Sequence, residues 1–415
     1  MANAVNRPKD TFRLGMLLYD TRYRSLTIQI VVFALVVAGA AWLIDNTVQN
    51  LAALGKDFDF GFLSMRAGYD IAQRLIPYSQ NDTHLRALLV GLMNTLLIAV
   101  MGCILATVVG VIVGILRLSS NWLVARLMTI YVEMFRNVPI LLWILLFFTA
   151  FTEASPAPAV FRGDEGQGLL LGLVAITNRY TAIPDIGVTR GLGSVDLGLF
   201  SLNLTFAAIV GVIVISLWLR GRMIRHAAAV QEATGRRPTT WWKSLLIVIL
   251  PVTLLGWWMG VHLLVPTISG FNFTGGVNVP NAFMALWLAL SFYTGAFIAE
   301  IVRAGILAVS RGQTEAAFAL GLRPRRTMSL VVLPQALRVI VPPLISQFLN
   351  LTKNSSLAIA VGYLDLRGTL GGITLNQTGR ELECVLLMML IYLMVSLVIS
   401  GAMNVYNSRV KLKER

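Results

Sequence analysis

The segment Ser310-Arg-Gly-Gln-Thr-Glu315-Ala316-Ala317-Phe-Ala-Leu320-Gly321-Leu-Arg-Pro324-Arg-Arg-Thr-Met-Ser-Leu-Val-Val-Leu333-Pro334 is a polar interruption between two long apolar runs. From Glu315 to Leu320 it consists mainly of strong helix formers. Gly321 suits a left-handed helix end, and Pro324 cannot continue a helix begun before it. These residues predict a short helix outside the bilayer, between two membrane spans. It presents the small residues Ala316, Ala317 and Ala319, which permit close approach of another backbone. It also presents Phe318 and Leu320, which need apolar cover. Such a helix suits docking into a groove; the plainer reading is an amphipathic connector on the membrane face.

Composition places the rest of the chain around that helix. Of 415 residues, 56% are hydrophobic and 13% charged, against about 25% charged in soluble domains. Mean hydropathy is +0.74. A soluble globule of this composition lacks the polar surface to cover itself, and disorder or a secreted disulfide scaffold is excluded on the same grounds. Cys103 and Cys384 sit inside apolar runs and read as small core residues. His84, His226 and His262 show no ligand spacing, so no metal site is expected.

A helix needs about 20 apolar residues to cross the hydrocarbon layer. Candidate spans cover residues 25–44, 87–116, 127–151, 202–219, 244–265, 282–308, 337–357 and 384–403. The expected fold is therefore all-α: a polytopic membrane bundle of about eight transmembrane helices. The net charge of +14 is divided among separate loops, which argues against a nucleic-acid surface. Arg220, Arg222, Arg225, Arg236, Arg237 and Lys243 fall in one loop, and Arg311, Arg323, Arg325, Arg326 and Arg338 in another on the same side. The positive-inside rule then places both termini in the cytoplasm. Two external segments are long, and the apolar patch 168–176 within the second suggests a surface or re-entrant helix.

The spacing Glu315-Ala316-Ala317, three residues, Gly321, nine residues, Val331-x-Leu333-Pro334 resembles the EAA loop of ABC importer permeases, with Val331 where Ile is usual. The flanks Ala299-Glu300-Ile301-Val302-Arg303 and Leu333-Pro334-Gln335-Ala336-Leu337-Arg338 resemble the polar amino-acid uptake branch. So do Leu351-Thr352-Lys353-Asn354-Ser355-Ser356-Leu357, Gly91-Leu92-x-x-Thr95-Leu96 and Tyr131-Val132-Glu133-Met134-Phe135-Arg136-Asn137-Val138-Pro139. The length resembles the larger permease subunit of general L-amino-acid importers. On that resemblance residues 1–87 form a cytoplasmic head, an extra span and a polar external segment. Residues 88–151 and 282–405 form the two parts of a type I ABC importer permease core, and 152–281 are an insertion with an external loop and two spans. Residues 406–415 are a basic cytoplasmic tail.

The resemblance implies a bacterial inner-membrane subunit that translocates amino acids, of broad L-amino-acid range, and is not itself an enzyme. Implied partners are an ATP-binding cassette subunit dimer, a second permease subunit in a heterodimer, an external substrate-binding protein, the amino-acid substrate and membrane lipid. ATP would be used by the partner subunit, and this chain would bind no cofactor. The sequence agrees in having no Gly-x-x-x-x-Gly-Lys-Ser/Thr phosphate loop. Glu315, Ala316, Ala317 and Gly321 would couple to the ATPase. The alternative class is an ion-coupled carrier working without an ATPase, but pathway acids and internal repeats are wanting.

Charges at membrane depth need reasons. Glu133 and Arg136 are three residues apart, as are Glu300 and Arg303. Each pair can neutralise itself within one helix or form part of an inner gate. Lys353 has no carboxylate three or four positions away and is followed by Asn354, Ser355 and Ser356. Pro342-Pro343 is expected to break the helix that carries it. Lysine and hydroxyl groups suit an amino-acid carboxylate; the competing reading is a lysine that snorkels to the outer interface. In related importers this Lys-x-x-Ser-Leu region resembles part of the substrate site.

Overall fold

In hydrocarbon a spanning backbone must satisfy its own hydrogen bonds, so the apolar runs become helices. The computed structural model describes residues 21–53, 58–162, 170, 172–196, 201–236 and 238–410. The basic residues Arg7, Lys9 and Arg13 of the head, Arg237, and Lys411, Lys413 and Arg415 of the tail lie outside the described residues. Among the described residues seven helices are long and apolar enough to span, or up to eight if one bent pair counts as a span. The chain divides into units 1–62 and 63–415. The first contains helix α1 (Thr21–Ala53), whose apolar side chains are exposed along its length.

The second unit holds the bundle. Its helices are α2 (His84–Leu116), α3 (Trp122–Asn137), α4 (Ile140–Glu153), α5 (Leu204–Thr234), α6 (Trp241–Met259) and α7 (Asn281–Leu307). They are followed by α8 (Arg311–Ala319), α9 (Leu333–Asn354) and α10 (Glu381–Val410). Helix α7 is central and packs on α2, α3, α4 and α9. Lipid is as apolar as leucine, so helices in it associate by close packing of small residues. A Cβ on Gly110 of α2 would lie 2.6 Å from Ile298 Cβ, and one on Gly114 2.7 Å from the Ala299 carbonyl oxygen. Gly305 of α7 receives Ile340 of α9 in the same way, at 2.3 Å. The Tyr131 hydroxyl adds a hydrogen bond from α3 to the Phe292 carbonyl of α7 (2.7 Å).

Four sequence expectations are corrected. The third span, 127–151, is not continuous: α3 and α4 meet at 107°. Pro139 pushes Val138 into an extended conformation (φ −105°, ψ 133°), which no helix tolerates. The fifth span ends at Met259, not Val265, because Gly260 closes it left-handed (φ 64°). Trp257 and Trp258 therefore sit at one end of α6 and Trp241 and Trp242 at the other, matching two interfacial belts. Pro342 and Pro343 do not break α9. They free two carbonyls, but Ile340 against Gly305 and Leu351 against Gly102 hold the turns on either side.

Finally, the external loop of the insertion forms strands where a surface or re-entrant helix is expected at 168–176. Strand β2 (Tyr180–Val188) pairs antiparallel with β1 (Ala175–Ile176), β5 (Val261–Leu264) and β8 (Gly276–Pro280). Small ribbons form from β3 (Ser194–Asp196) with β4 (Ser201–Asn203) and from β6 (Thr267–Ser269) with β7 (Asn272–Thr274). The described part of the patch 168–176 is a bridge, Leu170 to Val174, and β1 rather than a helix. An apolar run of a few residues reads the same in a strand as in a helix, and pairing with a distant strand decides. Because β2 shares a sheet with β5 and β8, the loops before α5 and after α6 emerge at one end of the bundle. Tyr69 and His84 reach Thr374 (3.4 and 3.0 Å), which puts the segment before α2 and the segment before α10 together as well.

Candidate coupling and transport site

At the opposite end, α8 stands between α7 and α9. It begins four residues before Glu315, after Ser310, and its close is a left-handed one. Gly321 has φ 76°. The Gly321 amide donates to the Phe318 carbonyl (2.9 Å) and the Leu322 amide to that of Ala317 (3.1 Å), the paired bonds of a Schellman turn. Pro324 then opens a new helical stretch that continues into α9. Ala317 is buried against the bundle, whereas Glu315 and Ala316 face outward. Leu320 is 82% exposed and Phe318 47%. Two large apolar side chains thus project from a rigidly closed helix without cover from the described residues.

Near this end, one carboxylate gathers three arginines. Glu300 of α7 bonds Arg303 through Oε1 (2.7 Å), as the i,i+3 spacing predicts. Its Oε2 accepts from Arg117, the residue that caps α2. Arg136 approaches the same oxygen at 3.8 Å and lies over the Phe297 ring, 5.3 Å from its centroid. The expected Glu133–Arg136 pair does not form: Glu133 accepts from Asn137 instead (3.3 Å). Arg136 is drawn across to Glu300 because that carboxylate belongs to the central helix, and proximity between helices overrides proximity in sequence. Arg117 was invisible to a local reading, since it lies 183 residues from Glu300.

Lys353 lies in the last turn of α9, exposed and without an ion-pair partner among the described residues. The four polar residues there do not act as one patch. Ser355 is buried and donates to the Thr352 carbonyl (2.8 Å), while Asn354 and Ser356 are half-buried. Beyond Asn354 the chain tightens into a 3₁₀ turn over Ser355–Val361, reverses at Gly362 (φ 72°) and turns back into the bundle.

That returning segment carries the buried polar cluster that sequence reasoning missed. Asp365 is fully buried; its carboxylate accepts from the Gly368 amide (2.8 Å) and the Tyr392 hydroxyl (3.2 Å). Thr95 accepts from the Leu366 amide (3.0 Å), and Asn94 donates to the carbonyls of Leu364 (2.9 Å) and Gln73 (2.8 Å). A Cβ on Gly91 would fall 2.2 Å from Thr369 Oγ1. The stretch Gly91-Leu92-x-x-Thr95-Leu96 thus has a physical meaning: one face of α2 is kept small and hydrogen-bonding for the returning segment. Among the described residues no cluster of three His, Cys, Asp or Glu side chains could hold a metal ion.

The bundle thus leaves a short helix uncovered between two spans at one end and folds a segment back into itself at the other. Residues 236–412 match the family described as binding-protein-dependent transport system inner membrane component. The chain is 62% identical, over the whole of both chains, to the glutamate/glutamine/aspartate/asparagine transport system permease protein BztB of Rhodobacter capsulatus. It is 44% identical to the general L-amino acid transport system permease protein AapQ of Rhizobium johnstonii, over 98% of this chain and 96% of that one. It is 43% identical to the putative amino-acid ABC transporter permease protein YhdX of Escherichia coli, over 99% of this chain and all of that one. The chain belongs to the amino-acid ABC transporter permeases. It is an inner-membrane transport subunit and not an enzyme; ATP hydrolysis belongs to a separate subunit, and a substrate-binding protein is the other partner the family implies.

Proposed function

We propose that this chain is one half of a heterodimeric permease for polar L-amino acids of broad range, acidic residues and their amides included, with both termini in the cytoplasm. The range follows the names of the two relatives above that carry one. One observation carries the coupling role: the closed helix α8 projects Phe318 and Leu320 with nothing described to cover them. In this reading α8 seats in a groove of an ATPase subunit and passes its motion to α7 and α9. A cysteine replacing Ala316 should cross-link to the ATPase subunit in the assembled importer, more strongly in one nucleotide state than another. Absence of any cross-link in an active importer overturns the assignment.

Orientation rests on loop charge. Helix α5 runs to Thr234, well past its apolar part, and carries Arg220, Arg222 and Arg225 out of the bilayer. A cysteine at Ala228, which is exposed, should resist a membrane-impermeant thiol reagent in intact cells; labelling there reverses the topology. Lys353 supplies a cation for the carboxylate that every free amino acid brings. A charge-assisted hydrogen bond is worth about 1.5–3 kcal/mol. Lys353→Met should therefore lower uptake of all substrates by about tenfold or more, with side-chain preference unchanged. Normal uptake would make Lys353 a snorkelling anchor.

A further inference from the structure

The cluster around Glu300 is unbalanced. Arg117, Arg136 and Arg303 bring three positive charges to one carboxylate, and the nearby acid Glu133 is turned toward Asn137. The Arg117 side chain is only 9% exposed, yet its Nε is buried without an acceptor. Arg136 makes no hydrogen bond among the described residues and approaches Glu300 only at 3.8 Å. Arg136 therefore keeps all its donors, and Arg117 one, beside a single carboxylate, and a guanidinium fork matches the oxygens of a phosphate.

Helix α3, which carries Arg136, says where that phosphate comes from. It is bent 107° from α4. If α4 crosses the bilayer, α3 lies close to the membrane plane. Trp122, Leu123, Leu127, Ile130 and Met134 are exposed on it, and the last four follow the i, i+4, i+7, i+11 spacing of one helix face. Arg126 and Arg136 belong to its polar side. An in-plane helix with an apolar stripe sinks into the boundary between headgroups and acyl chains. Basic pockets between helices at that level bind anionic headgroups.

We propose that Arg117, Arg136 and Arg303 form a site for the phosphate of an anionic phospholipid, in the headgroup layer at the Glu315 end of the bundle, with α3 lying in the interface beside it. On the orientation proposed above this is the cytoplasmic leaflet; the headgroup chemistry does not depend on that assignment. Bound lipid would neutralise the surplus charge and fix the junction of α2, α3 and α7 that precedes α8.

The test reads bound lipid rather than transport, so its failure is separate from failure of the transport reading. The complete importer, delipidated in detergent, is titrated with phosphatidylglycerol or phosphatidylcholine, and bound lipids are counted by native mass spectrometry. The wild type should prefer phosphatidylglycerol. Arg136→Gln, which loses no hydrogen bond, should weaken phosphatidylglycerol about fivefold and leave phosphatidylcholine unchanged. Glu300→Gln removes the opposing charge and should tighten it by a similar factor; should that variant fail to assemble, Arg136→Gln decides alone. A wild type without preference, as when a partner carboxylate fills the site, overturns the proposal. So does an Arg136→Gln importer that binds like wild type. Displacement of the lipid by excess inorganic phosphate would assign the site to a soluble anion and also overturn it.

Discussion

Helices α7 and α5 are both long and apolar enough to span a membrane, yet α7 is mostly buried in the bundle and α5 is hardly buried at all. What separates them is the size of the residues along one face. Helix α7 meets α2 through glycines and alanines, with Gly295 and Ala299 facing Ala106, Val109 and Gly114. Helix α5 pairs with α6 and shows Phe206, Val214, Ile215 and Trp218 outward. In a solvent as apolar as the protein core, hydrophobicity marks a helix as spanning but does not say what it touches. The same contrast separates the bundle from the insertion: the first is held by close backbone approach, the second by one helix pair and a small sheet.

The largest effect should come from filling a close approach. Gly110→Val puts a branched side chain where Cβ alone meets Ile298 at 2.6 Å and the Gly295 carbonyl oxygen at 2.9 Å. Overpacking costs about 1–3 kcal/mol and occasionally more; with backbone as the obstacle the upper end is expected. Thermal denaturation of the detergent-solubilised importer should fall clearly, and an unchanged midpoint would mean that α2 and α7 are not so tightly joined. Next in size is Gly321→Val, which forces a branched residue into a left-handed conformation at a cost of roughly 1–2 kcal/mol. Membrane insertion should stay normal while ATP-driven uptake falls. Normal coupling in that variant would detach the Schellman turn from function.

Tyr392→Phe removes one hydrogen bond to buried Asp365 and should cost about 1 kcal/mol, seen as a small loss of thermal stability. The smallest effect sharpens the comparison. Gly211 of α5 has nothing within 4 Å of its Cβ position, so Gly211→Val should change stability by no more than about 0.5 kcal/mol. A large loss there would mean that this face of α5 is covered by another subunit in the assembled importer, and the same denaturation assay would show it.

Local rules made much of the molecule legible. The apolar runs placed the spans, Gly321 and Pro324 bounded α8, and the i,i+3 spacing joined Glu300 to Arg303. The external segment before the fourth span and the one after the fifth do meet, in one sheet. Each of these depends on residues within a turn or two of one another, or on the bilayer acting uniformly along the chain, so sequence alone determined them.

Tertiary structure decided what no local window holds. Arg117 meets Glu300 across 183 positions, and Arg136 turns to the same carboxylate rather than to Glu133. Strands β2, β5 and β8 exist because distant segments supply one another's hydrogen bonds. Asp365 is buried because α2 presents Gly91, Asn94 and Thr95 to the segment that folds back from α9. Pro139 bends its span while Pro342 and Pro343 do not bend theirs. The residue before Pro139 was free to extend, whereas α9 is gripped by Gly102 and Gly305 on its neighbours. A proline or a charge has several acceptable outcomes taken by itself, and the packing partner selects among them.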